Sequence, residues 1–190
     1  RTSSAASDVY KRQLREIFRN SYNKQNNLSE ATRVLINQLF GSYGLLVIDG
    51  DDKKLKRKLI DVIDKDINEN SFYKIISNTN KKIQKLYHKQ AFVRPVNFFD
   101  ISNNNRVRIK NKIDKQKISD SPENYSPNVL LRPIYQEMIL PNIAYIGGGG
   151  EISYWLQLRD VFSDLSLSMP IIVLRNSVLF IDEKQSEKIT

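Results

Sequence analysis

Cysteine is absent from the 190 residues. That excludes disulfides, thiolate nucleophiles and cysteine-built metal sites within this chain. Histidine occurs once, as His88. A lone imidazole cannot build a histidine-rich metal centre, so the sequence shows no metal site. His88 stands beside lysines near the end of a predicted helix, where contact with the helix dipole accounts for it. No apolar run reaches the length needed to cross a bilayer, and no charged-then-apolar leader opens the chain. A cytoplasmic protein is therefore expected. Glycine is scarce as well: seven residues, four of them consecutive at 147–150.

What the chain holds in excess is positive charge, a formal +9. A basic chain invites a nucleic-acid reading. Here the lysines are spread over predicted helix faces and one loop, without a clustered aromatic platform. A solvated basic surface that draws in anionic substrates fits better, and nucleic-acid binding is kept as a third reading.

The organising stretch is Asn128 to Phe162. Ser126 is expected to cap a helix whose first turn holds Pro127. Pro133 would kink that helix, Ile134, Met138 and Ile139 recur at helical spacing, and Pro141 stops it. Ile143 to Ile146 suits a strand buried on both faces. Gly147, Gly148, Gly149 and Gly150 then make a turn, and Glu151 opens a helix striped by Ile152, Trp155, Leu156 and Phe162. A glycine turn between strand and helix lets a ligand approach backbone N–H groups, and the helix N-terminus favours an anion. Glu151 complicates this, because a carboxylate there satisfies the dipole itself and offers an acceptor to a hydroxyl or ammonium. A plain tight turn is the duller alternative.

The remaining chain reads as follows. Residues 1–13, RTSSAASDVYKRQ, resemble a translated sequencing adapter and are set aside, so the native sequence is expected to begin near Leu14. Ser29 is expected to cap a helix through Phe40, ended by Gly41 and Gly44. Leu45 to Ile48 reads as a buried strand. Asp49 and Asp51 after it are either ligand groups at the strand's carboxyl end or turn and cap residues, and the latter is favoured. Asp52 to Ile67 and Ser71 to Gln90 are predicted helices, the first with a solvent-facing Lys/Arg side. Val96 to Lys110 is a predicted β-hairpin turning at Asn103 to Asn105, followed by a polar loop and linker to Pro122. Pro170 to Leu174 is another apolar strand, and Val178 to Ile181 a further candidate.

The segment from Ser126 to Leu158 resembles the signature of the bacillithiol biosynthesis cysteine-adding enzymes. The matching residues are Asn128, Arg132, Pro133, Gln136, Glu137, Pro141, the four glycines, Glu151, Tyr154 and Trp155. Met169, Pro170, Arg175, Asn176 and Ser177 continue the likeness, with Leu174 where that family has proline. The resemblance implies an α/β fold: a Rossmann-like parallel sheet, with strands at 45–48, 143–146 and 170–174, helices on both faces, and a small β-hairpin and helical insert. The implied organisation is a first core segment at 14–50, an insert at 51–122 and a second core segment, truncated, at 123–190. Members of that family are far longer, so an internal fragment is expected, inactive alone. The coiled coil through which the parent would form a homodimer is expected to lie elsewhere.

The resemblance further implies a ligase that joins cysteine to glucosaminyl-malate, forming an amide in the final step of bacillithiol synthesis. A generic nucleotide-binding module is the alternative. The core is similar to adenylate-forming nucleotidyltransferases, which makes ATP the natural candidate cofactor. Arg132 would act as a fork for a carboxylate or phosphate. Glu151 would accept from the substrate amine or hydroxyls, and Arg175 would stabilise developing negative charge. Asn128, Gln136, Glu137, Tyr154 and Asn176 would bind or orient substrate beside the four glycines, and Trp155 would line the pocket. Arg132 paired with Glu137 or Glu151, and Trp155 in the core, are the plainer readings.

Overall fold

The computed structural model describes residues 5–103, 105–181 and 185. The chain forms two compact units, Arg1–Asp52 and Lys53–Thr190.

In the first unit, α1 (Ala5–Asn23) packs against α2 (Leu28–Phe40). Asn27, rather than Ser29, caps α2, its side chain accepting from the Glu30 N–H at 2.9 Å. Ser29, already inside the helix, donates its hydroxyl to Asp49 at 2.6 Å. Asp49 also accepts from the Asp51 N–H, which is turn and cap work. Gly44 takes the left-handed conformation, φ 80°, where a side chain would be strained. Leu45–Ile48 forms no strand, and Leu46 is 67% exposed. A strand needs a neighbouring strand for its N–H and C=O groups, and the first unit contains none among its described residues.

In the second unit, the predicted helix over 52–67 divides. α3 (Lys53–Lys56) leads through a 3-10 turn at Arg57–Leu59 into α4 (Ile60–Glu69). The Lys/Arg side is not wholly in solvent: Lys56 is buried, and its ammonium donates to the Glu123 carbonyl at 3.0 Å. Asn70, φ 53°, ends α4, and α5 (Ser71–Ile83) follows. α5 stops well short of Gln90. Leu86 and Tyr87 are exposed, so nothing apolar holds the helix together there. His88 consequently lies in irregular chain beyond the helix end.

The hairpin forms as expected, from β1 (Phe98–Asp100) antiparallel to β2 (Val107–Arg108). Asn104 of its expected turn lies outside the described residues. A third strand, β3 (Tyr125–Pro127), pairs on the other side of β1, giving the order β2-β1-β3. α6 (Lys115–Asp120) sits between β2 and β3 in the chain.

Ser126 and Pro127 therefore belong to a strand, not to a helix start. Asn128 makes the transition, its side chain accepting from the N–H groups of Leu130 and Leu131 at 3.0 and 3.1 Å. α7 (Arg132–Ile139) carries Pro133 in its first turn, where proline fits without a kink.

β4 (Ala144–Gly147) and β5 (Ile171–Leu174) pair in parallel, Tyr145 opposite Ile172 and Ile146 opposite Val173. The chain is α/β. Between the two strands run α8 (Gly149–Leu156) and α9 (Arg159–Asp164), where one helix was expected. β4 is not buried on both faces: Tyr145 and Ile172 turn inward, while Ile146, Ile171 and Val173 are exposed. Val178–Ile181 is irregular and exposed. The core of this unit gathers Ile63 and Ile67 from α4, Phe72 and Ile76 from α5, and Phe98 from β1. Leu131 and Ile134 come from the α7 region, and Trp155, Val161 and Phe162 from α8 and α9.

Candidate functional site

The site is built where α7, β4 and α8 meet. A buried polar network fixes its floor. Asp66 on α4 is wholly buried and accepts from both the backbone N–H and the side-chain amide of Asn97. Asn97 in turn accepts from the Asn128 side chain at 2.9 Å, and its carbonyl takes the Asn128 N–H at 2.8 Å. Burial pushes the Asp66 carboxyl up to about 6, against the lowering effect of the Asn97 hydrogen bonds. This chain of contacts ties α4 to β1 and sets the start of α7.

The glycine corner takes a definite form. Gly147 ends β4, Gly148 caps α8, and Gly149 and Gly150 already lie in the helix. The Glu151 carboxylate accepts from the Gly148 N–H at 2.8 Å, so the carboxylate satisfies the helix start from within. At Gly147 a Cβ would come within 2.6 Å of the Tyr145 ring. Glycine is required there to seat that ring, which stacks on Trp155 with centroids 4.2 Å apart. Trp155 also stacks on Phe162 at 5.8 Å. The indole is fully buried, and its N–H meets no acceptor at hydrogen-bond geometry.

Two neighbouring cavities flank Glu151 and Tyr154. The first, about 530 Å³, is lined by Arg106, Asn128, Arg132, Gln136, Tyr145, Glu151, Tyr154 and Trp155, among others. The second, about 500 Å³, is lined by Gln90, Gly148, Gly149, Gly150, Glu151, Tyr154 and Arg175 with Ala91 and Val129. Val129, Glu151 and Tyr154 border both. The Arg175 guanidinium lies against Gly148, 3.4 Å from where a Cβ would stand. Burial raises both tyrosines, Tyr154 to about 12, and the nearby Glu151 charge adds to this. Tyr145 also interacts with Glu151, Tyr154 and the Trp155 indole. Both hydroxyls therefore stay protonated at neutral pH, Tyr154 bordering both cavities and Tyr145 the first.

The predicted residues divide accordingly. Arg132, Asn128, Gln136 and Trp155 line the first cavity, Gly148, Gly149, Gly150 and Arg175 the second, and Glu151 and Tyr154 both. Arg132 is exposed and makes no ion pair with Glu137 or Glu151 among the described residues. Three predicted residues stand apart. Glu137 is buried and binds the Asn142 N–H and side-chain amide at 2.8 Å each, holding the α7–β4 loop. Gly147 is packed beneath Tyr145, and Asn176 is exposed beyond β5, outside both cavities. Trp155 is both core residue and pocket wall.

Sequence reasoning missed Arg106, Tyr145 and Gln90. The available signal for Tyr145 was alternation, since it stands two residues before Gly147 on the inward face of β4. Gln90 carried no signal at all. It is placed by Gln157, whose buried amide accepts from the Ala91 N–H and donates to the Ala91 carbonyl and to Asn80.

Residues 2–176 match the family described as bacillithiol biosynthesis BshC, N-terminal Rossmann-like domain. Among curated proteins, the "Putative cysteine ligase BshC" of Flavobacterium johnsoniae is 42% identical over 191 residues, covering 92% of this chain and 36% of the relative. The protein of the same name from Flavobacterium psychrophilum is 41% identical, with 92% and 36% covered. That of Cytophaga hutchinsonii is 37% identical, with 90% and 36% covered. The chain thus spans little more than a third of the length of these relatives.

Proposed function

Because the chain belongs to the bacillithiol biosynthesis BshC family through its N-terminal Rossmann-like domain, we propose that it belongs to a ligase joining cysteine to glucosaminyl-malate. The observation that carries this reading is the pair of polar cavities divided by Glu151 and Tyr154, with Arg132 on one side and Arg175 on the other. Amide formation joins two substrates, and each cavity offers one of them a cationic anchor and a share of the same carboxylate. In this reading Arg132 holds a malate carboxylate by paired N–H donors. Gln136 and Asn128 orient the neighbouring oxygens. Glu151, held by the Gly148 N–H, accepts a hydrogen bond from the substrate amine and orients it toward the second cavity. Tyr154 donates toward whichever oxygen gains charge.

Joining a free carboxylate to an amine is uphill, so an activating reagent is required, and ATP is our candidate. The glycine corner suits one carboxylate or phosphate beside Arg175. It does not suit a polyphosphate cradle, because Glu151 already occupies the Gly148 N–H and places a negative charge at the helix start.

Trp155 is the sole tryptophan and a wall of the first cavity, so its fluorescence reports binding there. Titrating the chain with glucosaminyl-malate is expected to give a saturable change. Arg132→Ala is expected to weaken it about tenfold or more, the usual scale for a charge-assisted pair. An Arg132→Ala response equal to the wild type's, or no response in the wild type, would defeat the proposal.

A further inference from the structure

We infer that Arg106, on the hairpin, is a second anion-binding group of the first cavity, and that the cavity selects a doubly negative group, a dicarboxylate or a phosphate, over a single carboxylate. This rests on reading the first cavity as a substrate pocket, but not on the identity of glucosaminyl-malate. Arg106 and Arg132 line the same cavity from different elements, the hairpin and the start of α7. Arg106 is aimed rather than free. Its guanidinium lies over the Phe99 ring at 4.0 Å, and one nitrogen donates to the Pro127 carbonyl at 3.0 Å. A guanidinium stacked on a ring and tethered at one corner loses little further freedom when a ligand takes its remaining donors. Those donors find no partner among the described residues.

The opposing charge in the cavity is Glu151, which is already engaged by the Gly148 N–H. Two guanidinium groups against one carboxylate leave the pocket net positive. A monoanion can satisfy one arginine. A dianion, or a ligand with two carboxylates, can satisfy both, and this is the basis of the selection.

The test uses the full chain and Trp155 fluorescence, with succinate, inorganic phosphate and the monoanion butyrate as probes. Wild-type protein is expected to bind succinate or phosphate more tightly than butyrate, and the stronger of the two identifies which dianion the pocket fits. Arg106→Ala is expected to weaken the dianions about tenfold while changing butyrate about twofold or less, on the scale of a charged hydrogen bond. Arg106→Lys keeps the charge and loses the planar fork, so intermediate binding is expected. Phe99→Leu keeps Arg106 but removes its ring support, and it should weaken the dianions in the same order without touching the arginine. Circular dichroism checks that each variant is folded.

Equal dianion binding by Arg106→Ala and the wild type would overturn the inference. So would a wild-type protein that prefers butyrate or answers to neither dianion. Dianion binding that depends on Arg106, with no response to glucosaminyl-malate, would overturn the proposed function and uphold Arg106. Glucosaminyl-malate binding unchanged by Arg106→Ala would do the reverse.

Discussion

At the scale of single residues, the site depends on groups that have no room to vary. Gly147 is the clearest case. A methyl group there would meet the Tyr145 ring at 2.6 Å and the Glu151 Cβ at 3.3 Å. The ring cannot retreat freely, because it is stacked on a buried Trp155. Gly147→Ala is therefore expected to lower stability by about 1–3 kcal/mol, as overpacking does, and to perturb Trp155 fluorescence in the folded state. Denaturant unfolding measures the first effect, and an unchanged midpoint would show that the strand relaxes around the methyl. Glu137 teaches the opposite lesson. It stands beside the site in sequence, yet its carboxylate is spent on Asn142.

At the scale of elements, the second cavity depends on chain that has no regular structure of its own. The segment after α5 carries Gln90 to the glycine corner, and the buried Gln157 at the end of α8 holds it by its neighbour Ala91. Gln157→Leu fills similar space but leaves the Ala91 N–H and carbonyl and the Asn80 side chain without their partner. The expected loss is about 2–4 kcal/mol, from the known cost of stranding buried polar groups. Hydrogen exchange at the Ala91 amide should accelerate by more than the amides of α4. Uniform acceleration would mean that Gln157 stabilises the whole unit rather than this segment.

At the scale of the molecule, pH reads out the buried network that joins α4, β1 and α7. The Asp66 carboxyl has its folded value raised from 3.8 to about 6. The folded state then holds a proton that the unfolded chain releases, so stability contributed by this group is full below pH 4 and declines as pH rises to about 6. A shift of this size corresponds to at most about 3 kcal/mol. Asp100 and Asp160 oppose it. Their folded values are lowered by hydrogen bonds from Ser102 and from Thr79, so their smaller contribution is lost as pH falls. Comparing wild type with Asp66→Asn isolates the Asp66 effect. Urea unfolding followed by Trp155 between pH 4 and 7 should show a decline that the variant lacks. Parallel curves would remove Asp66 as the source.

The sequence by itself determined what depends on local chemistry. The hairpin came from its alternation about an asparagine turn. The β4–glycine–α8 corner came from the order of apolar, glycine and acidic residues, and the pairing of β4 with β5 came from two short apolar runs around a helical segment. Most of the candidate site was legible too, because Arg132, Glu151, Tyr154 and Arg175 lie in one motif-rich span. Tertiary structure alone decided the rest. Leu45–Ile48 has strand composition, but a strand also needs a neighbour. Ser126 and Pro127 look like a helix start, yet β1 recruits them as β3. Arg106 reaches the cavity because Phe99 and the Pro127 carbonyl aim it, and Gln90 because Gln157 reaches across from α8 to the residue beside it. These are contacts between residues distant in the chain, and no local pattern of residue types encodes them.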